Sequence, residues 1–362
     1  MTIKTYNIYF EKEYQIKMEV KARTTLEEHE KGAFKRKDAV FRNWISEDSD
    51  RFKPESGRYH LYISYGCPWA HRTLIVRNLK GLQDHVGLSI VHPTWRKTRP
   101  EKDDHFGWVF ANPGDAPLTN SEGMGSFECE DVIPDNINNC KSVRELYELS
   151  NDTDGKYSVP VLWDKKEKVI VNNESSDIVR MLNTAFNKLS SRPDIDLYPE
   201  ALRRKIDQIN DQLYHNVNNG VYKTGFAKTQ EAYNEAVTNL FNTLDIFEDI
   251  LSKSRYVNGD ELTETDIRLF VTLIRFDEAY HGNFKCNKKM IADYPNLLSH
   301  TRELYQNPII RETVNMRHIK LVYYTSLPVL NHFAIVPAGP NFIGKLQERH
   351  NRDEIGQPSK YL

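Results

Sequence analysis

Cysteine is scarce in this chain, and long apolar runs are absent. Four cysteines occur in 362 residues, Cys67, Cys129, Cys140 and Cys286, and they stand far apart. No pair has CxxC spacing and no Cys/His set has zinc-finger spacing, so neither a disulfide framework nor a metal site is expected. A large chain with few scattered cysteines points to a reducing compartment and to one special thiol. No stretch of about 18 apolar residues exists, so no membrane span is expected. An excess of one charge is missing too: 49 basic residues face 51 acidic ones. That balance gives no reason to expect nucleic acid or a membrane surface as a partner. The opening stretch MTIKTYNIYFEKEY lacks the apolar region of a secretory signal, and the closing PSKYL is not an SKL-type address. The expected location is therefore cytoplasmic.

What is present suggests two domains plus extensions, because 362 residues exceed what one compact core usually holds. Residues 1–57 are charged and weakly periodic and read as an arm laid on the body, its first 30 residues expected to be disordered. Within it Phe34, Phe41, Trp44 and Ile45 could pack as one patch. From Arg58 the pattern changes. RYHLYISY alternates like a half-buried strand, PWAHRTLIVRNLKGL has helical spacing that ends at Gly81, and GLSIVHPTW is a second strand. Such a crossover unit implies a parallel strand pair. Residues 96–140 form a long loop rich in Gly, Pro, Asp and Asn. SVRELYELSN then reads as a helix, SVPVLWDKKEKVIVNN as a hairpin and ESSDIVRMLNTAFNKL as a helix. The order β-α-β, then α-β-β-α, is that of a thioredoxin-like fold. The expected boundaries are an extension over 1–57, this domain over 58–190, a linker over 191–198, an all-helical domain over 199–330 and an irregular tail over 331–362. A capping signal, Thr263 with Asp266, opens one helix of the second half.

Cys67 falls at a strand-to-helix turn, directly before Pro68. A thiol is a nucleophile only as thiolate, and the free N–H groups and positive dipole end of a helix stabilise an anion there. Pro68 suits the first helical position because its missing N–H has no partner to lose. The Cys67 pKa is therefore expected to fall. Three residues on stands Ala70, not Cys. A mixed disulfide at Cys67 must then be resolved by an outside thiol, and glutathione is the obvious supply. Val159-Pro160 opens a strand where thioredoxin-like folds carry a cis proline. Glu174 and Ser175 lie at a helix start, suited to the charged γ-glutamyl end of glutathione.

Together the stretches GCPWAHRTL, SVPVLWDKK, IVNNESSDIVRMLN, VNNGVYKTGFA, LTETDIRLF, IRFDEAY, NFKCNKK and HIKLVYY resemble the xi class of glutathione transferases, the glutathionyl-hydroquinone reductases. The resemblance runs from about Gly32 to about Gly339. It implies a thioredoxin-like domain, a helical glutathione-transferase domain and a cleft between them, in a homodimer. It implies Cys67 as nucleophile, with Tyr222 and Tyr323 as catalytic hydroxyls and Tyr280 beside them around the hydroquinone. Trp108 would line the glutathione site, Arg144 would meet a glutathione carboxylate, Val159 would pair with the cysteinyl backbone, and Glu174 and Ser175 would hold the γ-glutamyl end. Glutathione would be the co-substrate and no metal is implied. An omega-like thioltransferase or dehydroascorbate reductase would use the same cysteine. A non-catalytic interaction module would usually have lost it.

Overall fold

The computed structural model describes residues 20–362, apart from residues 25 and 27, so the expected disorder of the first 30 residues lies for the most part outside the described residues. The arm begins with a short hairpin, β1 (His29–Glu30) and β2 (Ala33–Phe34). The four anticipated aromatic and aliphatic side chains of the arm do not form one patch. Phe34 packs against Tyr222 and Phe226, Phe41 meets Tyr147 edge-on, Ile45 is buried near Met181, and Trp44 remains 47% exposed. Extended chain cannot gather residues 3 to 7 apart as a helix would, so each finds its own seat on the body.

The body starts with β3 (Tyr59–Ile63), α1 (Pro68–Leu79) and β4 (Val86–Ile90), and β3 and β4 pair in parallel as the crossover requires. A two-stranded pair follows, β5 (Arg96–Lys97) and β6 (Phe106–Gly107), then α2 (Val143–Leu149), the hairpin β7 (Val161–Asp164) and β8 (Val169–Asn172), and α3 (Ser175–Thr184). The main sheet runs β4-β3-β7-β8 with β7 antiparallel to both neighbours. The alternation in RYHLYISY suggested one wet face, yet β3 is buried on both. The helices α1 and α3 pack on one side. The 96–140 segment covers the other: Tyr62 donates to Asp135 at 2.7 Å and its ring meets Phe110. His60 is accommodated there by a 2.9 Å hydrogen bond with Ser89, since a buried polar group without a partner is costly. At the end of α1 the chain reverses through Gly81, whose φ of +63° and close approach to the Ser191 side chain leave no room for a Cβ.

The second half is helical: α4 (Arg203–Leu213), α5 (Gly220–Gly225), α6 (Gln230–Leu251), α7 (Glu264–Arg275), the single turn α8 (His281–Asn283), α9 (Pro295–Gln306), α10 (Pro308–Arg311) and α11 (Met316–Thr325). The tail, expected to be irregular, carries one more short helix, α12 (Phe342–Leu346), held by the buried Phe342 and Leu346. The Thr263/Asp266 capping box is formed as expected. Two π-helical turns interrupt the bundle, Tyr214–Asn218 between α4 and α5, and Phe276–Tyr280 after α7. The halves are joined where α1 packs against α7 and where Arg180 of α3 pairs with the buried Glu264 at 3.0 Å. Among the described residues no helix is long and apolar enough to cross a membrane.

Candidate active site

Cys67 is the residue before α1, with extended backbone (φ −80°, ψ 119°) and Pro68 in the first helical position. This is the expected strand-to-helix turn. The thiol is 9% exposed and lies in a cleft between the halves. Its hydrogen is shared with the Val159 carbonyl at 3.5 Å, and Val159-Pro160 is cis. Gly66 precedes the thiol because nothing larger fits: a Cβ there would stand 2.3 Å from Cγ1 of Val322 on α11. The expectation of a lowered thiol pKa is reversed. Burial pushes the Cys67 thiol up, while the backbone N–H groups of Ala70 and Trp69 and the charges of Arg275 and Arg36 work against burial without overcoming it.

The thioredoxin-like wall of the cleft carries Glu174 and Ser175 at the start of α3. Glu174 accepts from the Ser176 backbone at 3.0 Å and from its hydroxyl at 2.8 Å, and faces Arg72 at 3.5 Å. Burial works to raise its pKa, but Arg72 and Ser176 outweigh burial and hold the carboxyl below its ordinary value. Ser175 Oγ accepts from Nε of Arg72 at 3.0 Å. Glu174 therefore both caps the helix and stands as an anion on the wall. Trp108 lines the same space, meeting Trp95 edge-on with 5.1 Å between ring centroids.

The helical wall presents Tyr222 from α5 and Tyr323 from α11, their hydroxyls 2.9 Å apart. Tyr280 is set behind them. It is fully buried, does not line the cleft, and reaches it through a 2.8 Å hydrogen bond to Tyr323 and a ring contact with Tyr222. Burial pushes all three phenols up, so they stay protonated. The placement of Tyr222 depends on the two asparagines before it. Asn218 Nδ2 donates to the Arg268 carbonyl and to Thr272 Oγ1, both at 2.8 Å, while Asn219 Oδ1 accepts from Nε of Arg36 at 3.0 Å.

Arg144 is a correction. Its guanidinium is not on the cleft wall. It donates to both carboxylate oxygens of Asp103, at 2.8 and 2.7 Å, and to Glu148 at 2.9 Å. A buried bidentate arginine with two carboxylates is already satisfied, so it holds the 96–140 loop to α2.

Trp95 and Arg36 are among the cleft residues that escaped the sequence reading. Trp95 follows β4, its backbone N–H held by Ser326 Oγ at 2.9 Å. Arg36 comes from the arm, its guanidinium 5.0 Å from the ring centroids of Trp69 and Tyr222. Three of the lining residues carry buried donors without a hydrogen-bond partner, Nη2 of Arg36 and Nε1 of Trp69 and of Trp95. The space amounts to about 970 Å³ counting its open mouth, with Lys37 and Lys156 also at its edge. A zwitterionic tripeptide fits this wall chemically, with Glu174 for an ammonium, the arm's cations for a carboxylate, and spare N–H donors for carbonyls.

Family models agree with that geometry. Residues 66–185 match the glutathione S-transferase N-terminal domain and residues 230–303 the C-terminal domain. A glutathione transferase Xi structure from Phanerochaete chrysosporium is 47% identical, covers 90% of this chain and 100% of its own, and superposes with a TM-score of 0.76. The chain belongs to the xi class of glutathione transferases. The glutathionyl-hydroquinone reductase PcpF of Sphingobium chlorophenolicum is 45% identical over 85% of this chain and 90% of that protein. The glutathione-bound structure of YqjG, a glutathione transferase homolog from Escherichia coli, is 42% identical, covers 87% of this chain and 96% of that one, and has a TM-score of 0.76.

Proposed function

We propose that this xi-class transferase reduces S-glutathionyl-hydroquinones to hydroquinones with glutathione as co-substrate. The observation that carries the reading is one cleft holding a lone thiol, Cys67, together with the paired phenols Tyr222 and Tyr323. The name of the relative PcpF supports the same substrate class.

In this mechanism glutathione lies on the 58–190 half, with its cysteinyl backbone at Val159, its γ-glutamyl end at Glu174 and Ser175, and Trp108 against it. The Cys67 thiolate attacks the sulfur of the glutathionyl group. The sulfur–carbon bond to the ring breaks, a disulfide forms between Cys67 and glutathione, and the bonding pair remains on the ring carbon. That carbon takes a proton from the tyrosine pair, giving hydroquinone. The thiolate of a second glutathione attacks the mixed disulfide, releasing glutathione disulfide and Cys67 thiolate. The sum consumes one conjugate and one glutathione and yields one hydroquinone and one glutathione disulfide. The 199–330 half supplies the phenols. Tyr280 acts by orienting Tyr323, and the carboxylate-binding role expected of Arg144 falls to the arm's cations.

The same proposal includes a cytoplasmic homodimer. The free state of all four cysteines supports a reducing compartment, and sedimentation measures the assembly. The deciding experiment mixes protein, glutathione and a glutathionyl-hydroquinone and follows hydroquinone release, with dehydroascorbate in parallel. Faster turnover of dehydroascorbate would overturn the assignment in favour of an omega-like activity.

A further inference from the structure

The motif GCPWAHR holds a histidine that the mechanism does not use, and α7 ends in an arginine that reaches it. Arg275 is fully buried. Its Nε donates to the Gly66 carbonyl at 3.0 Å and its Nη2 to the Tyr65 carbonyl at 2.8 Å. Its Nη1 donates to the Val271 carbonyl at 2.6 Å and to Nδ1 of His71 at 3.1 Å. It pairs with no carboxylate among the described residues. Carbonyl dipoles solvate a buried guanidinium but leave its charge uncancelled, an expensive state unless an anion forms nearby.

The hydrogen bonds around His71 have a fixed direction. Thr313 Oγ1 donates to the Ile310 carbonyl at 2.6 Å, so it accepts from Nε2 of His71 at 2.8 Å. The lone pair of His71 then lies on Nδ1, where Arg275 donates. The titratable groups that feel the charge of this arginine are His71 on α1, which it touches, and Tyr280, Tyr323 on α11 and Cys67. Burial and Arg275 keep His71 neutral, and burial keeps the two phenols protonated. The thiol is the one among them that the proposed mechanism needs as an anion. Arg36, from the arm, is the other cation acting on it.

We propose that Arg275, reaching over from the helical half, is a positioning residue for Cys67: it clamps the two carbonyls that precede the thiol and supplies the positive charge that the thiolate faces, with His71 locking its orientation. The helical domain thereby sets the reactivity of a thiol carried by the other domain. The inference rests on Cys67 being the reacting thiol, and its test reads that point separately.

The experiment is the pH dependence of iodoacetamide alkylation, with the adduct mapped by peptide mass spectrometry and folding checked by circular dichroism. Mapping tests Cys67; the inflection tests Arg275. Arg275→Gln should move the inflection upward by about one pH unit or more, slowing alkylation at pH 7 about tenfold. Arg275→Lys keeps the charge but cannot span two carbonyls, so its inflection should stay near wild type while turnover falls. A folded Arg275→Gln with the wild-type inflection overturns the proposal. If that variant does not fold, Arg275→Lys decides, because wild-type turnover there removes the clamp and with it the proposal.

Discussion

The hydroxyls of Tyr222 and Tyr323 sit 2.9 Å apart although 101 residues separate them in the chain. The hydroxyl of Tyr323 is also 2.8 Å from that of Tyr280, which makes it the centre of a three-phenol chain. Tyr323→Phe breaks both links at once. It should lower turnover on glutathionyl-hydroquinone most, within the 10²- to 10⁴-fold range of a lost general acid, at roughly the lower end because Tyr222 remains. Tyr222→Phe should follow, and Tyr280→Phe should cost least because it touches no substrate. Glutathione affinity by calorimetry should hold in all three. Unchanged turnover throughout would show that the phenols have the wrong role.

Cys67→Ser should abolish reduction, since a serine oxygen cannot form the mixed disulfide. Wild-type protein incubated with conjugate and no free glutathione should gain the mass of one glutathione at Cys67, and steady-state kinetics should be ping-pong. Product release without any adduct on intact mass spectrometry would contradict the two-step scheme.

Arg144→Ala should lower thermal stability rather than glutathione affinity. It strands Asp103 and Glu148 and frees the loop they anchor. Leaving a buried charge partner unpaired typically costs about 3–5 kcal/mol, and the partial exposure of both acids puts this site at or below the bottom of that range. A calorimetric Kd weakened more than tenfold with an unchanged melting point would restore Arg144 to the ligand.

Acid should destabilise the fold in a defined window. Burial holds His60 and His318 down at about 4, from an ordinary value of 6.5. A lowered histidine pKa leaves the unfolded chain binding more protons between those values. Stability is therefore full above 6.5 and is lost as pH falls toward 4, by up to about 3 kcal/mol per histidine. Asp277, raised to about 6 by burial, works in the opposite sense over its own range. Urea midpoints at pH 7 and pH 5 would read the difference, and His60→Gln should flatten it.

Much of the thioredoxin-like half was legible because its signals are local. Alternation, the Cys-Pro turn and the helix start at Glu174 each sit within a few residues. The features that escaped depend on contacts across the chain. Arg36 looks like any surface arginine until Asn219, 183 residues away, takes its Nε. Arg144 has the same appearance whether it meets a ligand or Asp103, and only the folded loop decides. RYHLYISY alternates, yet the segment that covers its second face lies more than 30 residues further along. Burial at the thiol was likewise invisible: the helix end argued for a lower pKa, and enclosure by the second domain outweighs it.

The two π-helical turns have a consequence for how this bundle tolerates length changes. The backbone N–H of Asn219 bonds to the Tyr214 carbonyl at 2.8 Å, and that of His281 to the Phe276 carbonyl, each one residue beyond the usual reach. Each turn thus absorbs a single extra residue, and the side chains beyond it keep nearly the facing of an uninterrupted helix. One lies just before Tyr222 and the other ends at Tyr280. Deleting one residue within 214–218 would restore an ordinary helix and leave α5 little turned about its axis, because the wider turn spreads over five residues roughly the rotation that four make in an ordinary helix. A two-residue deletion exhausts that slack and would turn the phenol about 100° away from its partner while the helix itself survived. Each of these two points is a one-residue reserve of length, and only a deletion that exceeds it would unset the tyrosine array.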